Sequence, residues 1–374
     1  MSPDETRSPA SPSDEDDEAD RTALLSVDEL RTRIHTERGT LHAVDGVSFR
    51  VDRGETVCLV GESGSGKTVT CESITGLVPQ PPAEIAGGTV SFDGIDLLGA
   101  SDSQLRRIRG DRIAHVFQNP NRTLDPVYPV GKQIEEAIAI HETDGVDRRD
   151  RAIELLRRVG IPNATARVDD YPHEFSGGMC QRVAIAIGLA ADPDVLIADE
   201  PTTSLDVTVQ ARLLELLRDL TDDGMALLCV THDLRVAAAI ADRILVMFGG
   251  TIVERGPTEA VFERPAHPYT QALFGSHDGL SRRADAPTRA DVPTDGCRFR
   301  TECPHAVERC VGGDQPPSYS VDDRHDVSCV YYDPKAAVDA ATIRSNAEVA
   351  GPLTDDASDS ESGDRDHARR DDQE

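Results

Sequence analysis

The chain has 374 residues, room for one principal domain with an appendage and too little for three domains of ordinary size. Its 68 acidic residues against 39 basic ones leave a net charge of -29, which excludes nucleic acid as a main partner because phosphate backbones require a basic stripe. Only Lys67, Lys132 and Lys335 are lysines, and this scarcity beside a carboxylate surplus is expected of a high-salt cytoplasm, where salt screens the repulsion between dense surface carboxylates.

Residues 1–22 are acidic and rich in Ser and Pro, with no apolar run of signal-peptide type, and read as a disordered tail. No stretch reaches the ~18 apolar residues of a membrane-spanning helix, so membrane contact is expected only through partners. Residues 56–60 (TVCLV) have the short apolar run of a buried strand, followed by a Gly-rich turn and a helical pattern over 69–77. A helix-rich stretch, 132–168, reads as an inserted helical subdomain. Residues 195–198, 226–230 and 243–248 are three more buried-strand runs. Between them, 212–219 places Leu213, Leu216, Leu217 and Leu220 on one helical stripe. Such alternation implies an α/β fold with a parallel sheet between helices. Cys58, Cys71, Cys180 and Cys229 stand alone in these patterns as small apolar groups. The tail from about residue 355 is acidic and reads as disordered.

The turn at 61–68, GESGSGKT, matches G-x-x-x-x-G-K-[ST] in full, and a strand before it and a helix after it supply the required context. Gly61, Gly64 and Gly66 let the backbone wrap closely, with Glu62, Ser63 and Ser65 completing a cradle of N–H groups for phosphates. Lys67 is the candidate to neutralise β/γ-phosphate oxygens, and the Thr68 hydroxyl to hold Mg²⁺. The run VLIADEP ends a strand in two carboxylates: Asp199 for the Mg²⁺ shell, and Glu200 to polarise the attacking water.

These two motifs indicate only an NTPase; the segment 171–210 is more specific. FSGGM places Ser176 23 residues before Asp199, and Ser176-Gly177-Gly178 opens a helix over 179–190 whose first N–H groups are bare to an anion. This segment resembles the signature of ABC ATPases, in which the motif meets the γ-phosphate held by a second ATPase subunit. The resemblance covers about residues 25–272 and implies three further site residues. Gln118 in HVFQNP matches the Q-loop, which would touch Mg²⁺ and the attacking water and sense the permease. Asp206, after Ser204 and Leu205, matches the D-loop and would reach across the dimer. His232 in VTHD, 33 residues past Asp199, matches the switch histidine. Two positions depart from the family. Arg38 stands before Gly39 where an adenine-stacking aromatic is usual, which opens base selectivity; Cys180 replaces a common basic residue.

The segments RGTLHAVDGVSF, FQNPNRTLDPVYPVGKQI and HPYTQAL resemble the ATP-binding subunits of oligopeptide, dipeptide and nickel importers. Cys297, Cys303, Cys310 and Cys329 follow, with five, six and eighteen residues between successive members. Four thiolates can hold a [4Fe–4S] cluster or Zn²⁺; free thiols or a transient disulfide are the alternative. The region resembles the C-terminal extension of peptide-importer ATPases, some of which carry an iron–sulfur cluster. So small an extension is expected to draw most of its order from such a staple.

The resemblance implies a P-loop NTPase fold of the ABC ATPase type with an antiparallel β subdomain, an inserted helical subdomain and a small C-terminal cysteine-containing extension. The expected organisation is a tail at 1–22, the ATPase at 23–272 with the helical part at about 119–176, the extension at 273–335, and an acidic tail at 336–374. The implied cofactors are ATP and Mg²⁺. The implied partners are two permease subunits, a second ATPase subunit identical or different, and indirectly an external substrate-binding protein, with the motor on the cytoplasmic face of the membrane. An exporter motor, a non-transport ABC ATPase and a regulatory nucleotide-binding protein are the rival readings; retention of Glu200 and His232 argues against the last.

Overall fold

The chain opens with β1 (Leu25–Thr36) and β2 (Gly39–Val51), a long antiparallel hairpin. The computed structural model describes residues 23–37, 39–118, 123–141, 147–203, 205–275, 292–335, 340 and 343, so Arg38, Ser204 and both expected tails lie outside the described residues, except for positions 340 and 343. β3 (Thr56–Val60) enters a second sheet, and α1 (Lys67–Ile74) leads back to β4 (Ala83–Phe92) and β5 (Ile95–Asp96), which complete a four-stranded antiparallel sheet ordered β2-β1-β4-β5. α2 (Asp102–Ile108) begins at a capping box of Ser101 and Gln104 and precedes β6 (Ile113–Val116). α3 (Val130–His141), α4 (Arg148–Arg158), α5 (Ala164–Arg167) and α6 (Gly177–Gly188) lie between β6 and β7 (Val195–Asp199). Then come α7 (Val207–Asp222), β8 (Ala226–Thr231), α8 (Leu234–Ile240), β9 (Arg243–Phe248), β10 (Thr251–Pro257), α9 (Thr258–Glu263) and α10 (Pro268–Gly275). β11 (Tyr319–Asp322) and β12 (His325–Val327) are the last strands among the described residues.

The second sheet is ordered β11-β12-β10-β9-β3-β8-β7-β6. β9, β3, β8, β7 and β6 run parallel, so the segments leaving β3, β7 and β8 share one edge of the sheet. The strands read as unbroken apolar runs because both faces are covered. Val57 and Leu59 of β3 pack toward the antiparallel sheet, while Cys58 and Val60 join the helical layer. β7 divides in the same way, Val195 and Ile197 against Leu196 and Ala198. The α7 stripe of Leu213, Leu216, Leu217 and Leu220 is buried in the helical layer, each side chain contributing about 1.5–3 kcal/mol.

The expected helices exist with shifted ends. The one expected at 69–77 spans Lys67–Ile74, the one at 179–190 spans Gly177–Gly188, and the one at 212–219 spans Val207–Asp222. Apolar spacing reports the buried stripe, whereas Ser176 and Asp206 set two of the starts by capping.

The extension also has contacts that the sequence did not announce: it continues the large sheet through β12 pairing with β10, and Phe299, Val327 and Tyr331 join the same core cluster as the helical layer. Glu254, 1% exposed, anchors the junction by accepting hydrogen bonds from the Ala266 and His267 N–H groups at 2.7 Å each and pairing with His325 Nε2 at 2.8 Å.

Candidate active site

The phosphate loop joins β3 to α1 and bends through three glycines of positive φ, Gly61, Gly64 and Gly66. At Gly61 a Cβ would stand 2.2 Å from the Met247 carbonyl oxygen, so close approach of β9 as well as dihedral freedom demands glycine. Lys67, 5% exposed, donates from Nζ to the carbonyls of Gly61 and Glu62 at 2.8 Å each. Burial lowers its pKa, against the pull of Glu200, Asp199 and Glu62.

β7 delivers both carboxylates to this edge. Asp199 is 2% exposed, and its Oδ1 has no hydrogen-bond partner among the described residues. Burial raises its pKa, while the Thr68 hydroxyl and Lys67 draw it down and Glu200 adds to the rise. A buried carboxylate oxygen without a donor, next to a threonine hydroxyl, fits a hard divalent cation such as Mg²⁺. Glu200 sits at φ 47 just past the strand. Its carboxylate accepts from Gln118 Nε2 at 2.7 Å and Thr203 Oγ1 at 2.9 Å, and pairs with His232 Nδ1 at 2.9 Å. Burial pushes this carboxyl up, but hydrogen bonds from His232 and Thr203, with Gln118 assisting, outweigh it and hold it below the ordinary range. Glu200 is thus ionised at neutral pH and suited to accept a proton from water. Lys67, the Asp199–Glu200 pair, Gln118 and His232 therefore come from four separate segments to one place.

The remaining sequence candidates lie elsewhere. Ser176 caps α6, its Oγ accepting the Met179 N–H at 3.3 Å. Gly177 is open, with nothing within 4 Å of an added Cβ, whereas at Gly178 a Cβ would lie 2.4 Å from Val209 Cγ1. The second glycine thus serves the packing of α6 on α7 rather than only the exposure of an amide. Asp206 caps α7, its Oδ1 accepting the Val209 N–H at 3.0 Å.

Thr203 and Tyr269 escaped the sequence reading. Thr203 lies three residues past Glu200, a spacing that flags it in retrospect. Tyr269 accepts the Glu62 N–H of the phosphate loop on its hydroxyl at 3.0 Å, across 207 residues of sequence, and no local pattern announces that.

Cys297, Cys310 and Cys329 are buried, Cys303 is half-buried, and all four are free thiols. Burial pushes Cys297 up to about 11 and Cys329 up to about 12, and negative charge on the neighbouring cysteines adds to both rises. The backbone N–H groups of Phe299, His305 and Tyr331, each two residues past a cysteine, lower Cys297, Cys303 and Cys329 in turn. Among the described residues no three His, Cys, Asp or Glu groups are gathered as a metal site.

A phosphate-loop strand one strand removed from a strand ending in Asp-Glu, with Gln and His closing on the glutamate, defines a P-loop ATPase. Comparison with known proteins narrows the class. The model of the ABC transporter family matches residues 44–203, and that of the oligopeptide/dipeptide transporter C-terminal region matches residues 253–310. The oligopeptide transport ATP-binding protein OppD of Bacillus subtilis is 42% identical over 325 residues, covering 84% of this chain and 90% of that one. A Brucella abortus protein whose name refers to peptide import and ATP binding is 47% identical over 297 residues, covering 77% and 89%. The ATP-binding cassette MJ0796, solved as a dimer with ADP and Pi, is similar with a TM-score of 0.57 and 29% identity, over 63% of this chain and 99% of that one. CbiO1 from Clostridium perfringens follows at 0.55 and 28%, over 64% and 91%. The chain belongs to the ABC transporter family and is one of its ATP-binding, ATP-hydrolysing subunits. No described helix is long and apolar enough to cross a membrane.

Proposed function

We propose that this chain is the motor of a peptide importer, hydrolysing Mg–ATP on the cytoplasmic face of a membrane to drive uptake through two separate permease subunits. The carrying observation is the Glu200 carboxylate, held by Gln118, Thr203 and His232 beside the Lys67 loop. The match of residues 253–310 to a peptide-transporter region, and relatives named for oligopeptide transport and peptide import, support the cargo class. Nickel is the second cargo reading, because the motor itself does not bind the cargo.

In this mechanism residues 61–66 wrap the phosphates with backbone N–H groups, and Lys67 turns from its own loop carbonyls to the β/γ oxygens. Thr68 and Asp199, with Gln118, would hold Mg²⁺, and the ion would supply positive charge to the β/γ oxygens. Glu200 orients water for in-line attack and takes its proton, while His232 and Gln118 steady the carboxylate and sense the γ-phosphate. Ser176, Gly177 and Gly178 of a second ATPase subunit, identical or different, close over the nucleotide, and Asp206 lies at that junction. Residues 23–272 form the motor with a helical part near 119–176, and 273–335 form the extension. An external binding protein delivers the cargo. The carboxylate excess supports work at high salt.

Cys297, Cys303, Cys310 and Cys329 are proposed to hold a [4Fe–4S] cluster or zinc, supported by the occurrence of four cysteines within one short stretch of the sequence. Anaerobically purified protein then shows a brown iron–sulfur absorbance or one bound zinc; a metal-free folded extension contradicts this. For the motor, Lys67→Ala is expected to lose nucleotide binding. Face-to-face association of ATPase subunits on Mg–ATP is the central check, and its absence with the natural partner present removes the assignment.

A further inference from the structure

The extension reaches the phosphate loop by two routes that start from adjacent residues, Arg298 and Phe299, each 5% exposed. Phe299 meets Tyr269 and Phe248 edge-on, with ring centroids 5.5 and 5.3 Å away, and those two rings lie 4.6 Å from each other. This trio fixes the orientation of Tyr269, whose hydroxyl accepts the Glu62 N–H. Arg298 works from the other side. It pairs with the Asp45 carboxylate, the Asp45 backbone N–H donates to the Gly250 carbonyl at 2.8 Å, and the Gly250 N–H donates to the Ser65 carbonyl at 2.9 Å. At Gly249, φ 56, a Cβ would stand 2.7 Å from Val292 Cγ1 and 3.2 Å from Arg298 Cβ, so the extension is seated directly on the β9–β10 turn that makes this link.

What these contacts hold are two peptide planes of the loop. A trans peptide points its C=O and its N–H in opposite directions. Tyr269 draws the Glu62 N–H toward α10, which turns the Gly61 carbonyl the other way, where it accepts Lys67 Nζ at 2.8 Å. Gly250 draws the Ser65 carbonyl toward the β9–β10 turn, which turns the Gly66 N–H away from that turn and leaves it to the phosphates. A tilt of either plane misaims a donor of the cradle.

We propose that the extension braces the phosphate cradle, with Phe299 and Arg298 as positioning residues for nucleotide binding. Phe299 acts through Tyr269 on the 61–62 peptide, and Arg298 acts through Asp45 and Gly250 on the 65–66 peptide. The inference rests on the reading of residues 61–68 as the triphosphate cradle and adds that the extension sets how tightly the cradle holds phosphate.

The test is equilibrium titration of the full chain with Mg–ATP and with Mg–tripolyphosphate, which has the phosphates and no base. Phe299→Leu is expected to weaken both ligands about threefold, the scale of a lost aromatic pair. In a Tyr269→Phe background, which lacks the hydroxyl, the same change is expected to weaken neither ligand further, while its cost in melting temperature persists. Arg298→Met leaves Asp45 paired with Arg31 Nη1 at 2.8 Å, and is expected to weaken both ligands about threefold by the second route; it guards against misfolding of the first variant. A packing role alone lowers the melting temperature and leaves both affinities at the wild-type value, and that result would overturn the proposal. So would a Phe299→Leu loss of affinity that is equal in the two backgrounds, or a loss confined to Mg–ATP. All three outcomes leave the ATPase reading intact, whereas a wild-type chain that binds neither ligand would overturn that reading and the brace together.

Discussion

Glu200 and Glu254 are each held by three donors, yet one sits in the active site and the other staples the fold. Around Glu200 the donors are side chains of Gln118, Thr203 and His232, and the carboxylate lies at the open edge of the sheet with 12% of its side chain exposed. Around Glu254 two of the three are main-chain N–H groups, of Ala266 and His267, and both Glu254 and His325 have fully buried side chains. Side-chain donors can rotate away and leave a carboxylate able to take a proton. Main-chain donors fixed by β10 and the start of α10 cannot. The number of hydrogen bonds does not distinguish catalytic from structural carboxylates; the freedom of the donors and access to water do.

Four experiments break or sharpen that contrast. Glu200→Gln is expected to lower ATP turnover by about a thousandfold, the scale of a lost general base, with melting temperature nearly unchanged and ATP-driven subunit association retained. Turnover measured under saturating Mg–ATP checks it, and near-normal turnover removes Glu200 as the base. Glu254→Ala should show the opposite profile, a loss of about 3–5 kcal/mol in urea unfolding because it orphans two amides and a buried histidine. Its folded fraction should hydrolyse ATP at close to the normal rate.

The third test concerns pH. His267, held at about 3, and His115, held at about 4, are both kept low by burial. The unfolded chain then binds more protons than the folded one below the ordinary histidine pKa of about 6.5. Stability is therefore lost as pH falls from about 6.5 toward 4, by up to about 1.4 kcal/mol per pH unit for each histidine. Thermal melts at several pH values should show this slope, and His115→Gln should flatten it by up to one proton. The smallest effect is expected from Tyr269→Phe, which removes the acceptor for the Glu62 N–H and should raise the KM for ATP several-fold with kcat nearly constant, the scale of one neutral hydrogen bond. Equal changes in KM and in melting temperature for a distant core variant would reduce Tyr269 to a packing residue.

Much of the candidate site was legible because its parts are local patterns. The glycines and Lys67 lie within eight residues, and Asp199 and Glu200 end an apolar run. Gln118 and His232 became readable only through the resemblance, since a single polar residue after a strand carries no spacing signal of its own. Thr203 and Tyr269 were not legible. Thr203 bonds Glu200 from three residues away without any apolar pattern to mark it, and Tyr269 reaches the phosphate loop only through the way strands from distant parts of the chain are ordered.

The amino-acid sequence by itself determined the strand runs, the glycine cradle, the helix cap at Ser176 and the pairing of two carboxylates at a strand end, because these depend on backbone dihedrals and on neighbours a few residues apart. Only the tertiary structure decided that the cysteine-bearing extension continues the central sheet through β12, that Glu254 is sealed there, and that Tyr269 comes to the edge where β3 ends. Those outcomes rest on sheet order and burial, which bring residues hundreds of positions apart into contact and leave no periodic trace in the chain.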